Sequence, residues 1–219
     1  FADGTLQIWE LPGGRLLSGA IASGQQAVTA LGFATQGSAL ITGGLDGSLV
    51  WRNRQTGAPL CPKRITHKDT ITSLAVAAQA PDASFATGSR DQTVALWSQS
   101  CTAPPVERLH GHTGQVAAVS LSPDGQLLAS AGDDAVVIVW DVQARQPIGQ
   151  PLSAHTHPIT ALAMGPQGLL LSGDEETVWQ WDLNLPRWPV RACQRAGRNL
   201  SLAEWQQYLG DSPYCRICA

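Results

Sequence analysis

The sequence predicts an all-β chain of small antiparallel sheets that repeat along its length, and three observations predict it. Trp9, Trp51, Trp97, Trp140 and Trp181 recur at separations of 42, 46, 43 and 41 residues. Each closes a short β-branched or apolar segment: TLQIW, SLVW, TVALW, VVIVW and TVWQW. Turn pairs precede most of them, at Asp3-Gly4, Asp46-Gly47, Asp91-Gln92 and Asp134-Ala135. A pair that tolerates positive φ between two apolar runs is a hairpin signal. No helical periodicity lies between successive Trp residues.

The clearest copy justifies each element in turn. GHTGQ (111–115) leads into a strand, VAAVSLS (116–122), and the turn Pro123-Asp124-Gly125 follows. A second strand, QLLASAG (126–132), the turn Asp133-Asp134 and a third strand, VVIVWDV (136–142), come next. A weaker strand around 147–152 carries the chain onward. One four-stranded sheet per period is a propeller blade, because each sheet buries its faces only against its neighbours.

The order Gly-His, Ser/Thr, Asp, Trp-Asp resembles the WD40 repeat, over about 185 of the 219 residues. The resemblance implies a hydrogen-bonded set in each blade, running from His to the turn Asp, from His to the hydroxyl, and from the indole N–H to that hydroxyl. By motif position, one copy supplies His67, Thr87, Asp91 and Trp97, and the next supplies His112, Ser130, Asp134 and Trp140. In both, Asp and Trp are six residues apart and the hydroxyl and Trp ten. Buried polar groups of this kind need partners, since each one left alone costs about 1–3 kcal/mol. A Ser, His and Asp together invite comparison with a hydrolase triad. Repetition of the set in blade after blade argues instead for a structural role.

The flanking copies depart from the pattern. In the copy over 27–57, Gly24 stands where a His is expected and Asp46 and Trp51 are one residue too close, so only Thr42 and Asp46 transfer. In the copy over 152–184, His155 fits, but Ser172 and Trp181 are one residue closer than expected, and the turn acid is Asp174 or Glu175. These two blades are expected to be less rigid than the middle pair.

The blades are expected at 23–63, 64–109, 110–152 and 153–193, after a partial blade over 1–22, which makes about four and a half blades in an incomplete ring. Open sheet edges recruit other chains, so self-association is expected. The repeats end near 184, and a tail follows over 185–219. Within it Ser201 and Glu204 form a capping box and Gly210 stops a short helix over 202–209. The tail CQRAGRNLSLAEWQQYLGDSPYCRIC resembles the closing segment of large bacterial WD40 proteins. That resemblance implies an upstream signalling domain, of STAND-type NTPase, caspase-like or TIR kind. The chain is accordingly expected to be the C-terminal part of a longer protein.

Composition narrows the function. A charged fraction of 14% and a net charge of -3 give no basic face for nucleic acid or anionic lipid. No apolar run approaches the roughly 20 residues of a spanning helix, and a cytoplasmic location is expected. Five cysteines, Cys61, Cys101, Cys193, Cys215 and Cys218, form no even framework and are expected as reduced thiols. Cys215-Arg-Ile-Cys218 lacks the four ligands zinc prefers.

These observations favour a non-enzymatic scaffold that binds another protein, serving as the sensor or regulatory part of a signalling protein. No cofactor or metal is expected. Candidate contact residues on the loops are Gln25, Lys68, Asp69, Arg90, Gln115, Asp133, His157 and Glu176. The alternative is a catalytic or metal-binding propeller, lactonase- or phosphatase-like. That needs carboxylates or His on the innermost strands, which read AVTALGFA, TITSLAVAA, VAAVSLS and PITALAM.

Overall fold

The computed structural model describes residues 4–34, 39–77, 79, 84–98, 107–184 and 201. The expected helix over 202–209 and Cys101, Cys193, Cys215 and Cys218 lie outside them.

The strands form five antiparallel sheets, each a meander in chain order. β1 (Thr5–Glu10) pairs with β2 (Arg15–Ala22). The second sheet runs β3 (Val28–Phe33), β4 (Ala39–Gly44), β5 (Ser48–Asn53) and β6 (Arg64–Ile65). The third is β7 (Ile71–Val76), β8 (Ser84–Ser89), β9 (Val94–Ser98) and β10 (Glu107–Leu109). The fourth is β11 (Val116–Leu121), β12 (Leu127–Gly132), β13 (Val137–Asp141) and β14 (Gln146–Pro147). The last comprises β15 (Ala161–Met164), β16 (Leu169–Gly173) and β17 (Val178–Asp182) among the described residues. Its expected fourth strand falls beyond residue 184, outside them.

The turn chemistry sets each β4–β5 type hairpin. Gly47, Gln92 and Ala135, each next to the turn Asp, have φ of 71°, 70° and 58°. Their N–H groups reach back to the carbonyls of Gly44, Ser89 and Gly132 at 3.1–3.2 Å. The last blade uses a different turn, in which Asp174 N–H donates to the Thr177 carbonyl at 3.0 Å.

Adjacent blades are stitched together at their innermost strands. Such a strand has one edge without a partner in its own sheet, and its polar backbone must be met from outside. Thr29 Oγ1 donates to the Ile71 carbonyl, and Thr72 Oγ1 to that of Val116. Val119 N–H donates to Ser73 Oγ at 3.1 Å, and Met164 N–H to Ser120 Oγ at 2.9 Å. The hydroxyls that the inner strands carry are therefore spent between blades, not exposed to a substrate.

Three apolar cores lie between successive sheets. Ile41, Leu49 and Trp51 pack with Phe85, Ala95 and Trp97; Ala86, Val94 and Leu96 with Leu128, Ile138 and Trp140; Ala129, Val137 and Val139 with Ile159, Leu170 and Trp181. This is the stacked arrangement of a repeat protein, each unit buried only by its neighbours. At the two ends of the series apolar side chains are left open. Trp9, Leu31 and Phe33 are 54%, 57% and 55% exposed at one end, and Val178 is 74% exposed at the other.

The reduced-thiol expectation is corrected at Cys61, which is disulfide-bonded. Folding brings distant loops together, so separation along the chain does not decide which cysteines meet.

Candidate functional site

Each of the last three blades holds a buried polar chain. In the third sheet Trp97 Nε1 donates to Thr87 Oγ1 at 2.9 Å, and His67 Nε2 is 2.8 Å from the same oxygen. His67 Nδ1 lies 3.1 Å from Asp91 Oδ2. In the fourth sheet the distances are 2.8 Å from Trp140 to Ser130, 2.7 Å from Ser130 to His112 and 2.8 Å from His112 to Asp134. One direction of donation satisfies every atom. The indole N–H donates to the hydroxyl, the hydroxyl proton goes to Nε2, and Nδ1–H donates to the carboxylate.

The last blade is not degenerate. His155 Nδ1 is 2.6 Å from Asp174 Oδ2, His155 Nε2 is 2.7 Å from Ser172 Oγ, and Trp181 Nε1 donates to Ser172 Oγ at 2.8 Å. Asp174 is the turn acid, while Glu175 lies beside His157 at 3.7 Å. The missing residue falls in the turn. Ser172 pairs with Trp179, seven residues on, where Thr87 pairs with Ala95 and Ser130 with Ile138, eight residues on. Trp181 still stands opposite Leu170, two positions from Ser172, and so on the same face.

The second sheet is built differently. Thr42 pairs with Val50, eight residues on as in the middle blades, but Trp51 stands opposite Ile41, one position from Thr42. It therefore points to the other face, and its Nε1 has no hydrogen-bond partner. Arg52 occupies the place on the Thr42 face, opposite Leu40. It is 2% exposed, with Nη1 donating to the Gly57 carbonyl at 3.0 Å and Nη2 to that of Ser23. The spacing held this signal, since Arg52 is six residues from Asp46 and ten from Thr42.

Gln25, expected as a loop contact, is corrected to an internal residue at 6% exposure. Thr42 Oγ1 donates to its Oε1 at 2.9 Å, and its Nε2 donates to the Ser48 carbonyl and Ser48 Oγ at 2.9 and 3.0 Å. An amide carries both donor and acceptor, so it replaces the imidazole between hydroxyls. Asp46 is turned to Lys63 at 2.5 Å instead. Burial opposes ionisation of Asp46, but Lys63 and Ser48 outweigh it and hold the carboxyl below its usual range.

The electrostatics follow the same chains. Burial pushes His67 below its ordinary value against the pull of Asp91. Burial also raises Asp91, yet the Thr93 hydroxyl, the N–H groups of Lys68 and Thr93 and the neighbouring His67 win, bringing it to about 2. The hydrogen bond from His155, with the N–H groups of Thr177 and Glu176, holds Asp174 far below the carboxylate range. The imidazoles of His67, His112 and His155 are all committed to the sheet, so none of these three is free to act as a general base.

The other expected contact residues do lie on one set of loops. Lys68, Asp69, Arg90, Asp133 and Glu176 are exposed, and Gln115 and His157 are half-buried. Three of them are linked: Arg90 Nε donates across blades to Gln115 Oε1 at 3.1 Å, and Gln115 Nε2 donates within its own blade to Asp133 Oδ1 at 3.1 Å. A side chain at Gly132 would land 1.8 Å from the Gln115 carbonyl, so the glycine lets that loop lie against the turn. His157 sits between Glu175 and Glu176 at 3.7 and 3.9 Å. Among the described residues no three His, Cys, Asp or Glu converge as metal ligands.

The family described as "WD domain, G-beta repeat" matches residues 60–98, 103–141 and 146–182, more than half of the chain. The chain belongs to the WD40 repeat family. No curated protein matches the sequence significantly. Among solved structures, a chain of "Crystal Structure of Mitotic Checkpoint Complex" is similar with a TM-score of 0.73 and 22% identity. The likeness covers 82% of the WD40 chain and 55% of that chain. In all, 1323 chains of solved structures match significantly, so the likeness marks the fold and not a particular partner.

Proposed function

We propose that the chain binds a protein partner through the loops that carry Lys68, Asp69, Arg90, Gln115, Asp133, His157 and Glu176. One observation carries the reading. The Arg90–Gln115–Asp133 bonds hold neighbouring blades' loops in a fixed arrangement, while the networks beneath them are closed and buried. Rigid sheets presenting polar loops give a binding face that needs little ordering on contact. The same reading makes the chain the sensor or regulatory part of a larger bacterial signalling protein located in the cytoplasm. The resemblance of CQRAGRNLSLAEWQQYLGDSPYCRIC supports that part. Self-association through the open ends belongs to it too, supported by the exposed Leu31, Phe33 and Val178.

Affinity capture with quantitative mass spectrometry tests the binding face. Arg90→Glu combined with Asp133→Lys should lose partners that the unaltered chain retains, at unchanged thermal stability. Identical capture profiles would remove these loops as the contact surface.

A further inference from the structure

Beside the buried networks, one small cavity gathers two cationic side chains and an imidazole. It measures about 170 Å³ and lies between the turn that carries Asp91, Gln92 and Thr93 and the segment Arg108–His112 that leads from β10 to β11. Lys68, Arg108 and His110 line it. On a chain whose net charge is -3, Lys68 and Arg108 around one opening are a local departure.

The cavity is held in shape. Arg108 Nη2 donates to the Thr66 carbonyl at 2.6 Å, which fixes the guanidinium against the neighbouring loop. Thr113 N–H donates to Asp134 Oδ2 at 3.0 Å, and His112 is locked between Asp134 and Ser130. On the opposite wall, Lys68 N–H donates to Asp91 Oδ2 at 2.9 Å.

One carboxylate lines the cavity, and its oxygens are already engaged. Asp91 accepts from His67 Nδ1, Lys68 N–H, Thr93 N–H and Thr93 Oγ1. Among the described residues, no acceptor bonds to Lys68 Nζ or to the His110 ring. Arg108 has further guanidinium N–H groups beyond the one spent on Thr66. The walls thus offer donors and the two positive charges of Lys68 and Arg108, against one carboxylate whose oxygens are already hydrogen-bonded.

We propose that this cavity takes the phosphate monoester of a phosphorylated serine or threonine on a partner polypeptide. A dianionic phosphate has three strong acceptor oxygens, and Lys and Arg side chains form charge-assisted hydrogen bonds with them. Its volume suits the small opening. Lys68, Gln92 and His110 are exposed, so the site is a dent in the loop face and not an enclosed pocket. A free ion there is held only by its charge, whereas a tethered phosphate gains from the polypeptide laid across the adjoining loops. The proposal rests on the protein-binding reading above and names the chemistry of part of that partner.

Fluorescence polarisation on the full chain tests it with two labelled degenerate peptide pools, one with a fixed phosphoserine and one with the same serine unmodified. The phosphorylated pool should bind about tenfold more tightly, a difference of about 1.4 kcal/mol. Lys68→Ala and His110→Ala should each erode that ratio about threefold and together abolish it, while Arg54→Ala leaves it unchanged. Equal binding of both pools, unaffected by either substitution, would overturn the phosphate site and leave the protein-binding reading standing. Absence of binding by both pools, with capture profiles indifferent to the loop variants, would sink both. Displacement of the phosphorylated pool by a single-stranded oligonucleotide as effectively as by unlabelled phosphopeptide would also overturn it, in favour of nucleic acid.

Discussion

Trp51 and Arg52 point to opposite faces of one sheet, and it is Arg52, opposite Leu40, that shares a face with Thr42. Trp51 turns instead toward the next blade, where Phe85 meets it edge-on at 5.8 Å and Trp97 stacks on Phe85 at 6.0 Å. A shift of one position in a strand moves a side chain to the other side of the sheet. The tryptophan that marks the period in this copy is therefore a core residue between blades, with an indole N–H that bonds to nothing.

Trp→Phe substitutions separate the two situations. Trp140→Phe removes a bond to Ser130 and some packing, whereas Trp51→Phe removes packing and an orphaned donor. In urea denaturation Trp140→Phe should cost about 1 kcal/mol more than Trp51→Phe. Equal losses would contradict the assignment of faces.

The hydroxyls give a second comparison. Ser130→Ala leaves both the Trp140 indole and His112 Nε2 without a partner, and Ser172→Ala does the same to Trp181 and His155. Each should lower stability by about 2–6 kcal/mol, at about 1–3 kcal/mol for each of the two orphaned groups. Thr42→Ala should cost less, because no indole depends on it. A small effect at Ser172, read from denaturant midpoints, would return the last blade to the degenerate status expected from its spacing.

Acid should weaken the third sheet in two stages. His67 has a folded value below 6.5, so the unfolded chain takes up its proton first. The stability it contributes is full above about pH 6.5 and is lost as pH falls through the folded value. Asp91 is depressed to about 2 from 3.8, so its contribution is full above about pH 4 and is lost toward pH 2. His67→Gln should flatten the upper stage in a series of melts from pH 7.5 to 4.5. An unchanged slope would show that His67 is not the group responsible.

The open ends should make the chain associate. Leu31 and Phe33 are more than half exposed beside β1, which pairs on one side only among the described strands. Static light scattering should show a mass that grows with concentration, and Leu31→Ser with Phe33→Ser should reduce it without lowering the melting temperature. A concentration-independent monomer would rule out association through this end.

The period of the Trp residues, the turn acids and the alternation of apolar strands determined by themselves that this chain makes WD40 blades. They also placed His67, Thr87, Asp91 and Trp97, and His112, Ser130, Asp134 and Trp140, because those two copies have no residue out of step. Only the tertiary structure decided what one missing residue means. In the last blade it falls in the turn, strand parity is kept, and His155, Ser172, Asp174 and Trp181 close their chain. In the first full blade none is missing: Thr42 pairs with Val50 at the usual eight residues, Trp51 stands one position short of the Trp place, and Gln25 and Arg52 stand in for His and Trp. The count from hydroxyl to Trp does not separate the two cases, because Trp51 and Trp181 each follow theirs by nine residues, and it is the strand register that shows which face each takes. The same limit applies to the Arg90–Gln115 bridge and the meeting of Lys68, Arg108 and His110. These join residues far apart in sequence, and only the stacking of one blade on the next brings them together.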